Sequence, residues 1–195
     1  MGVFKPVETD STYGKKLIVL IPYRSFDDFE TLTDKLAKDK QYASDGKDYI
    51  DAVFDNPPYV RIETTILKAF SEMPVSAIPE LHSPVTERVY ELRSYEGHTE
   101  KIYRNKVQMF NAGDEVGLFK RLGFNAVFYG EVLAGSTMPN LMYMTTFENK
   151  ASRDEHWKTF GQDPQWKKLS SMPEYQHNVS KNVTLFFRPT SYSDI

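Results

Sequence analysis

The sequence contains no cysteine among its 195 residues. This excludes disulfide bonds, thiolate metal sites and cysteine nucleophiles, although it leaves the cellular compartment open. No apolar run approaches the roughly 20 residues that a membrane-spanning helix needs. Acidic and basic residues are interspersed, and the net charge is only −3. The sequence therefore predicts no nucleic-acid partner and no transmembrane segment.

Motifs that would name a reaction are also lacking. The sequence has no Gly-x-Gly-x-x-Gly, no P-loop and no Gly-x-Ser-x-Gly. The four histidines, at positions 82, 98, 156 and 177, do not have the His-Glu-x-x-His spacing of a zinc site. Neither a metal nor a cofactor is predicted, and the residues alone identify no chemistry.

Aromatic residues, in contrast, are abundant: 12 Tyr and 13 Phe bring the aromatic share to 14%. This enrichment favours strands with aromatic cross-strand pairs. The hydrophobic share of 40% is ordinary for a globular protein. A chain of this length can form one large domain or two small ones, with a core that needs no metal or disulfide.

The second half of the chain has the clearest pattern. A strand at 87–95 precedes a long helical pattern over 99–122, in which Gly113 and Gly117 favour a bend or a break. Two strands at 125–133 and 140–147 follow, joined by a loop, and then two short helices and a last strand at 182–188. This order predicts one complete strand–helix–strand–strand–helix–strand unit with an antiparallel sheet.

The first half resembles a damaged copy of that unit. Strands are predicted at 3–4, 16–23 and 59–70, and Pro22 is expected near a strand end because it cannot donate to a ladder. Ser25 begins a helix as its N-cap, and a second helical piece covers about 43–54. The proline-containing stretch 73–86 is a predicted extended linker.

An ungapped shift of 124 residues superimposes the two halves. Strand falls on strand and helix on helix, and four aromatic or apolar pairs coincide: Phe4 with Phe128, Tyr23 with Phe147, Tyr42 with Trp166, and Ile62 with Phe186. The first half then lacks counterparts of residues 87–123. We therefore predict an incomplete repeat at 1–72, a linker at 73–86 and a complete domain at 87–195.

Five blocks of the sequence resemble the NIPSNAP family. They are residues 88–96 (Arg-Val-Tyr-Glu-Leu-Arg-Ser-Tyr-Glu), 125–131 (Asn-Ala-Val-Phe-Tyr-Gly-Glu), 141–147, 151–160 and 163–166. The resemblance implies an α+β fold: ferredoxin-like antiparallel sheets with helices on one face, and two tandem repeats packed as a dimeric α/β barrel. It implies no catalytic residues, because the family has none to transfer.

Residues 15–70 resemble the first half of tandem bacterial members of that family. Such members begin with an added strand and helix, often behind an export signal, and this sequence starts without them. The expectation is therefore a truncated N-terminus, which leaves cytoplasmic and exported locations both open.

One candidate pocket follows from strand periodicity. Glu91, Arg93 and Tyr95 share one face of the first strand, and Glu131 and Tyr143 have spacings compatible with the same face. These side chains could form a polar pocket with a carboxylate base and an arginine that binds an anion. Alternatively, they form an arginine–carboxylate pair that fixes the packing of the sheet.

A helix contributes the other candidates. Arg153, His156 and Trp157 have i, i+3 and i+4 spacings on one face of a short helix. A ligand-facing His156 is one interpretation, since histidine titrates near neutrality. The alternative is a helix that packs Trp157 on the sheet and leaves Arg153 and His156 at its rim.

Two functions remain open at this point. The first is a non-catalytic binding or scaffold protein that self-associates through its sheets, with a small-molecule ligand as a further partner. The second is a cofactor-free enzyme such as a monooxygenase, haem-degrading enzyme or cyclase, which rests on analogy of fold alone. An incomplete first sheet would leave an apolar face and a strand edge bare, so we expect a second copy or the linker 73–86 to cover it.

Overall fold

The computed structural model describes residues 1–7 and 15–195. Most of the polar segment between the first two predicted strands lies outside these described residues. The chain forms two compact units, one of residues 1–20 together with 65–195, and one of residues 21–64. Among the described residues, no helix has the length and apolar character needed to cross a membrane. The division into repeats at 1–72 and 87–195 stays a prediction.

The larger unit is built on one antiparallel sheet. Within the described residues its strands are β1 (Gly2–Pro6), β2 (Ile18–Leu20), β3 (Ile66–Ala69), β4 (Val89–Glu96), β5 (Ala126–Ala134), β6 (Asn140–Phe147) and β7 (Lys181–Pro189). Their spatial order is β2-β1-β7-β4-β6-β5-β3. Pro22 follows the end of β2, which confirms its predicted place.

Four helices of this unit follow the strands of the second half. They are α5 (Glu100–Phe110), α6 (Glu115–Arg121), α7 (Lys150–Gln162) and α8 (Pro164–Ser171). The predicted long helix is broken where Asp114 adopts a left-handed conformation, next to Gly113. The strand–helix–hairpin–helix–strand order and the antiparallel pairing confirm the predicted ferredoxin-like unit.

The two faces of the sheet carry separate cores. A helix-side core packs strand residues against α5, α6 and α7, and its most deeply buried members are Phe110, Leu118, Phe119, Phe124, Leu141 and Tyr143. An inner core lies on the opposite face and consists of Phe4, Leu81, Tyr90, Leu92, Val127, Met144 and Phe187. Because strand side chains alternate, β4 serves both cores.

Helix caps coincide at the predicted shift between the halves. Asn149 caps α7 by accepting from the Ser152 amide, and Ser25 caps α1 (Phe26–Glu30) in the same way. Asp163 caps α8, and Asp39 caps α3 (Lys40–Asp45). The differences, 149 − 25 and 163 − 39, are both 124. These coincident caps agree with the predicted 124-residue shift between the two halves.

The shift changes before the last strand, and the predicted match of Ile62 with Phe186 is wrong. Pro6 pairs with Phe187, and Gly130, which is 124 residues after Pro6, pairs with Ala69. The equivalent positions Phe187 and Ala69 differ by 187 − 69 = 118. The strand predicted at 59–70 is shorter in the structure. It is β3, which covers only Ile66–Ala69, the part that pairs with β5.

Both edges of the sheet belong to the first half. In the complete half, β4 lies between β6 and β7, whose first-half counterparts are β2 and β3. No strand within 1–7 and 15–195 occupies the corresponding place between β2 and β3, which we call the open strand position. Next to it, Leu17 and Val19 are 59% and 51% exposed, whereas Ile18 and Leu20 pack on the inner core.

The linker docks against the complete half. Leu81 joins the inner core, and the Ala77 amide donates to the Val127 carbonyl of β5. Glu148 accepts from the amides of His82 and Ser83, and these bonds lower its pKa to about 2. The linker thus covers part of the inner core but pairs with neither edge strand.

The smaller unit, residues 21–64, contains α1, α2 (Leu32–Lys38), α3 and α4 (Lys47–Ile50). None of its residues is buried. Large apolar side chains are exposed in it, among them Phe54 at 101%, Val60 at 83% and Ile62 at 65%. Exposed apolar patches of this kind are a common feature of interaction sites in proteins.

Candidate functional site

The candidate site is centred on Glu91, a carboxylate with no exposed surface. Arg93 donates from Nε to its Oε1 at 2.5 Å. Arg153 donates twice, from Nε to Oε2 at 2.6 Å and from Nη2 to Oε1 at 3.0 Å. Trp157 adds a bond from Nε1 to Oε2 at 3.0 Å. Both oxygens of Glu91 therefore accept two hydrogen bonds each.

Local structure explains why these groups converge. Glu91 and Arg93 are two residues apart on β4, so both point to the helix side of the sheet. Arg153 and Trp157 are four residues apart on α7 and share one helix face. The Arg93 guanidinium lies over the Trp157 ring, 3.8 Å from its centroid, which adds a cation–π contact. Strand and helix are joined through one carboxylate.

The network continues along the strand to two tyrosines. Arg93 donates from Nη1 to the Tyr95 hydroxyl at 3.1 Å, and the hydroxyls of Tyr95 and Tyr143 are 2.8 Å apart. Tyr143 is fully buried and pairs with Arg93 across the β4–β6 ladder. Burial, followed by the neighbouring Tyr95, raises the pKa of Tyr143 well above its ordinary value. The Tyr143 phenol therefore serves here as a neutral hydrogen-bonding group.

Charge pairing governs the ionisation of Glu91. Burial alone would raise its pKa, but the hydrogen bonds from Arg153 and the charge of Arg93 lower it below the ordinary value. The pKa of Arg93 is raised despite its burial, because Tyr143, Tyr95 and Glu91 surround it. Glu91 is thus an ionised, fully bonded carboxylate at neutral pH, with no lone pair directed at a substrate.

The structure brings six of the eight predicted site residues together. These six residues, which we call the Glu91 set, are Glu91, Arg93, Tyr95, Tyr143, Arg153 and Trp157. The arginine–carboxylate alternative describes their geometry, because each polar group is bonded to another member of the set.

Glu131 and His156 lie apart from that set. Glu131 is half-buried on β5 and contributes, after burial, to the raised pKa of Tyr103 on α5. The His156 ring packs against Phe124 and Phe147, with centroid separations of 5.8 Å and 5.4 Å. Sequence spacing assigned Glu131 to a strand and His156 to a helix, as the structure does. It could not show that both side chains lie away from Glu91.

A second buried ion pair was missed by sequence reasoning. Lys106 of α5 and Glu115 of α6 are 2.9 Å apart and both almost fully buried. The Lys106 ammonium also lies 4.7 Å from the Phe110 ring centroid. In one continuous helix, Lys106 and Glu115 would not be expected to meet. The break between α5 and α6 brings Glu115 toward Lys106. No local sequence signal marks that contact.

The arrangement joins strand β4 to helix α7. Aromatic rings of the helix-side core pack around the Glu91 set, with Phe119 and Phe124 both in contact with Trp157. A surface groove lies elsewhere, within the smaller unit, and is lined by Tyr49, Phe54 and Tyr59 among others. In 1–7 and 15–195, no three His, Asp or Glu side chains cluster as metal ligands.

The sheet order and the helices on one face define an α+β protein of the ferredoxin-like, dimeric α/β-barrel class. The chain belongs to the NIPSNAP family, whose family model matches residues 90–194. The predicted family and fold are thereby confirmed. No curated protein matches the chain.

Several solved structures are similar to parts of the chain. A NIPSNAP family protein from Agrobacterium tumefaciens str. C58 is 18% identical and has a TM-score of 0.48, covering 60% of this chain and 96% of its own. A second protein of that family from the same strain, described as of unknown function, is 19% identical over 58% and 97% of the chains, with a TM-score of 0.48. A Lactobacillus acidophilus NCFM protein named a "putative monooxygenase" is 11% identical over 96% and 77%, with a TM-score of 0.56. That likeness shows the fold alone.

The Glu91 set predicts a large stability effect from a near-isosteric change. Glu91→Gln removes the charge that pairs with two partly buried arginines and presents an amide N–H to one of them. The free energy of unfolding should fall by about 3–5 kcal/mol. Glu155→Gln is the control, because Glu155 is exposed on α7, the helix that carries Arg153 and Trp157, and it should change stability by less than about 0.5 kcal/mol. Equal effects of the two substitutions in urea unfolding would contradict the account.

A pH dependence follows from the lowered pKa of Glu91. The pKa of the Glu91 carboxyl is about 4.3 in the unfolded chain. In the folded protein its pKa is lower. The stabilisation is therefore complete above the unfolded pKa and is lost as pH falls through the folded pKa. The stability difference between wild type and Glu91→Gln should shrink below about pH 4.3. A difference that stays constant as far down as both proteins unfold cooperatively would show that Glu91 is not the titrating group.

Proposed function

We propose that the protein is a non-catalytic binding and assembly protein that self-associates through the first-half side of its sheet. The observation that carries this proposal concerns the two edge strands, β2 and β3. Among the described residues each has a neighbouring strand on one side only, and Leu17 and Val19 are exposed apolar side chains at β2. Unpaired edges and adjacent apolar surface are rarely left uncovered in monomers. Covering them with a second copy satisfies both requirements.

The Glu91 set has a structural role in this proposal. A general base needs a free lone pair within reach of a substrate, whereas both oxygens of Glu91 are occupied by three donors. The other deeply buried carboxylate, Glu115, is paired with Lys106. The binding function is therefore assigned to the sheet edge, and a small ligand beside Glu91 stays a prediction from the sequence.

Self-association is tested by Val19→Asp. Light scattering coupled to gel filtration should give the mass of a dimer or larger for the wild type. Val19→Asp should raise the dissociation constant at least about tenfold, because it places a charge where β2 meets its partner. Val75→Asp is the control, since Val75 is also exposed, at 74%, but lies in the linker; its mass should equal that of wild type. A wild type that stays monomeric at the highest concentrations measured would overturn the proposal.

A further inference from the structure

The Glu91 set does not use the outer edge of the Arg93 guanidinium. A guanidinium group carries five N–H bonds, one on Nε and two on each Nη. Nε of Arg93 donates to Glu91, and Nη1 donates to the Tyr95 hydroxyl. Within the described part of the chain, Nη2 donates no hydrogen bond. Both N–H bonds of Nη2, and the second one of Nη1, are therefore available to an acceptor from outside the chain.

These donors reach solvent. The Arg93 side chain is 13% exposed. Side-chain atoms that are both buried and without a hydrogen-bond partner do occur among the described residues, but Nη2 of Arg93 is not one of them. Because Nη2 makes no bond and is not buried, it faces solvent. Arg93 therefore presents its N–H donors at the rim of the Glu91 set, whereas Glu91 itself is enclosed.

The guanidinium is also held in one orientation. Its plane lies over the Trp157 ring at 3.8 Å, and Glu91 and Tyr95 accept from two of its nitrogens. The strand that carries it, β4, is paired on both sides. A donor fixed in this way loses little conformational entropy when it binds a ligand. The Trp157 ring covers one face of the guanidinium, so a ligand meets Arg93 at its free edge.

The charge balance of the set favours an anion at that edge. Arg93 and Arg153 carry two positive charges and share one negative charge, that of Glu91. Asp154 pairs with Arg153 and not with Arg93. One positive charge thus remains on the side of Arg93. A planar guanidinium fits a carboxylate, whose two oxygens accept parallel N–H bonds.

Strand β7 supplies the surroundings of this edge. Thr184 lies directly opposite Arg93 in the β4–β7 ladder, and Asn182 and Phe186 flank it on the same face. Side chains in such a directly opposed pair have Cβ atoms about 4.5–5.5 Å apart. Asn182 is exposed, and Thr184 and Phe186 are half-buried. A ligand at Arg93 therefore meets polar groups on two of these residues and an aromatic ring on the third.

We infer that Arg93 binds the carboxylate of a small organic acid at its free edge, with the apolar part of the acid against Phe186. The contact is a charge-assisted hydrogen bond, which is stronger than one between neutral groups. This site lies on β4 and β7 and includes neither edge strand. It goes beyond the proposed self-association and stands or falls separately from it.

Benzoate is the probe for this site, because it joins a carboxylate to an aromatic ring. Its binding is followed by the indole N–H resonance of Trp157, since that indole stacks on Arg93 and donates to Glu91. The resonance should shift saturably, with a dissociation constant on the order of 1 mM. Sodium chloride at equal ionic strength should not reproduce the shift. Absence of a saturable shift would overturn the inference, and tighter binding of inorganic phosphate would overturn the assignment to a carboxylate.

A substitution opposite Arg93 tests the location without removing a member of the Glu91 set. Thr184→Glu places a carboxylate of the chain itself beside the free edge, so the dissociation constant for benzoate should rise at least about tenfold. Thr184→Gln is the matched control, because it has the same length without the charge. It should change that constant by less than about threefold. Unchanged binding by Thr184→Glu, or equal loss of binding in both variants, would show that benzoate does not bind through the charge of Arg93.

Discussion

Backbone hydrogen bonding across the sheet is the constraint on which this structure depends. Six antiparallel pairings hold β1, β7, β4, β6, β5 and the two edge strands in one sheet. β4 satisfies this constraint on both sides and carries one core on each face. Within residues 1–7 and 15–195, no strand of the first half occupies the corresponding place. Its two edge strands therefore expose hydrogen-bonding groups that a neighbour would otherwise satisfy.

The Glu91 set strengthens the complete half where β4 meets α7. A fully buried carboxylate is tolerated only because three side chains donate to it, and the two arginines are in turn stacked or bonded. The set resembles an active site in composition, with a carboxylate, arginines and tyrosines in one layer. Its polar atoms are hydrogen-bonded to each other.

Sequence reasoning recovered what depends on local periodicity and capping. Period-two alternation placed Glu91, Arg93 and Tyr95 on one face, and the glycines at 113 and 117 marked the helix break. It could not place contacts that need tertiary information. The Lys106–Glu115 pair depends on the angle between two helices, and His156 turned toward Phe124 instead of Glu91. The strand predicted at 59–70 was too long, because β3 covers only Ile66–Ala69. Alternation shows which residues could form a strand, but a strand forms only where a neighbouring strand is there to pair with it.

The central claim is the proposed self-association through the first-half side of the sheet. The most direct measurement is amide hydrogen exchange of β2 (Ile18–Leu20) as a function of protein concentration. The proposal predicts that β2 exchanges faster in dilute protein and becomes protected as the concentration rises, because a second copy then covers its outer edge. Ile78, in the linker, should show no concentration dependence. Exchange of β2 that stays equally rapid at concentrations where light scattering shows a dimer would contradict the account.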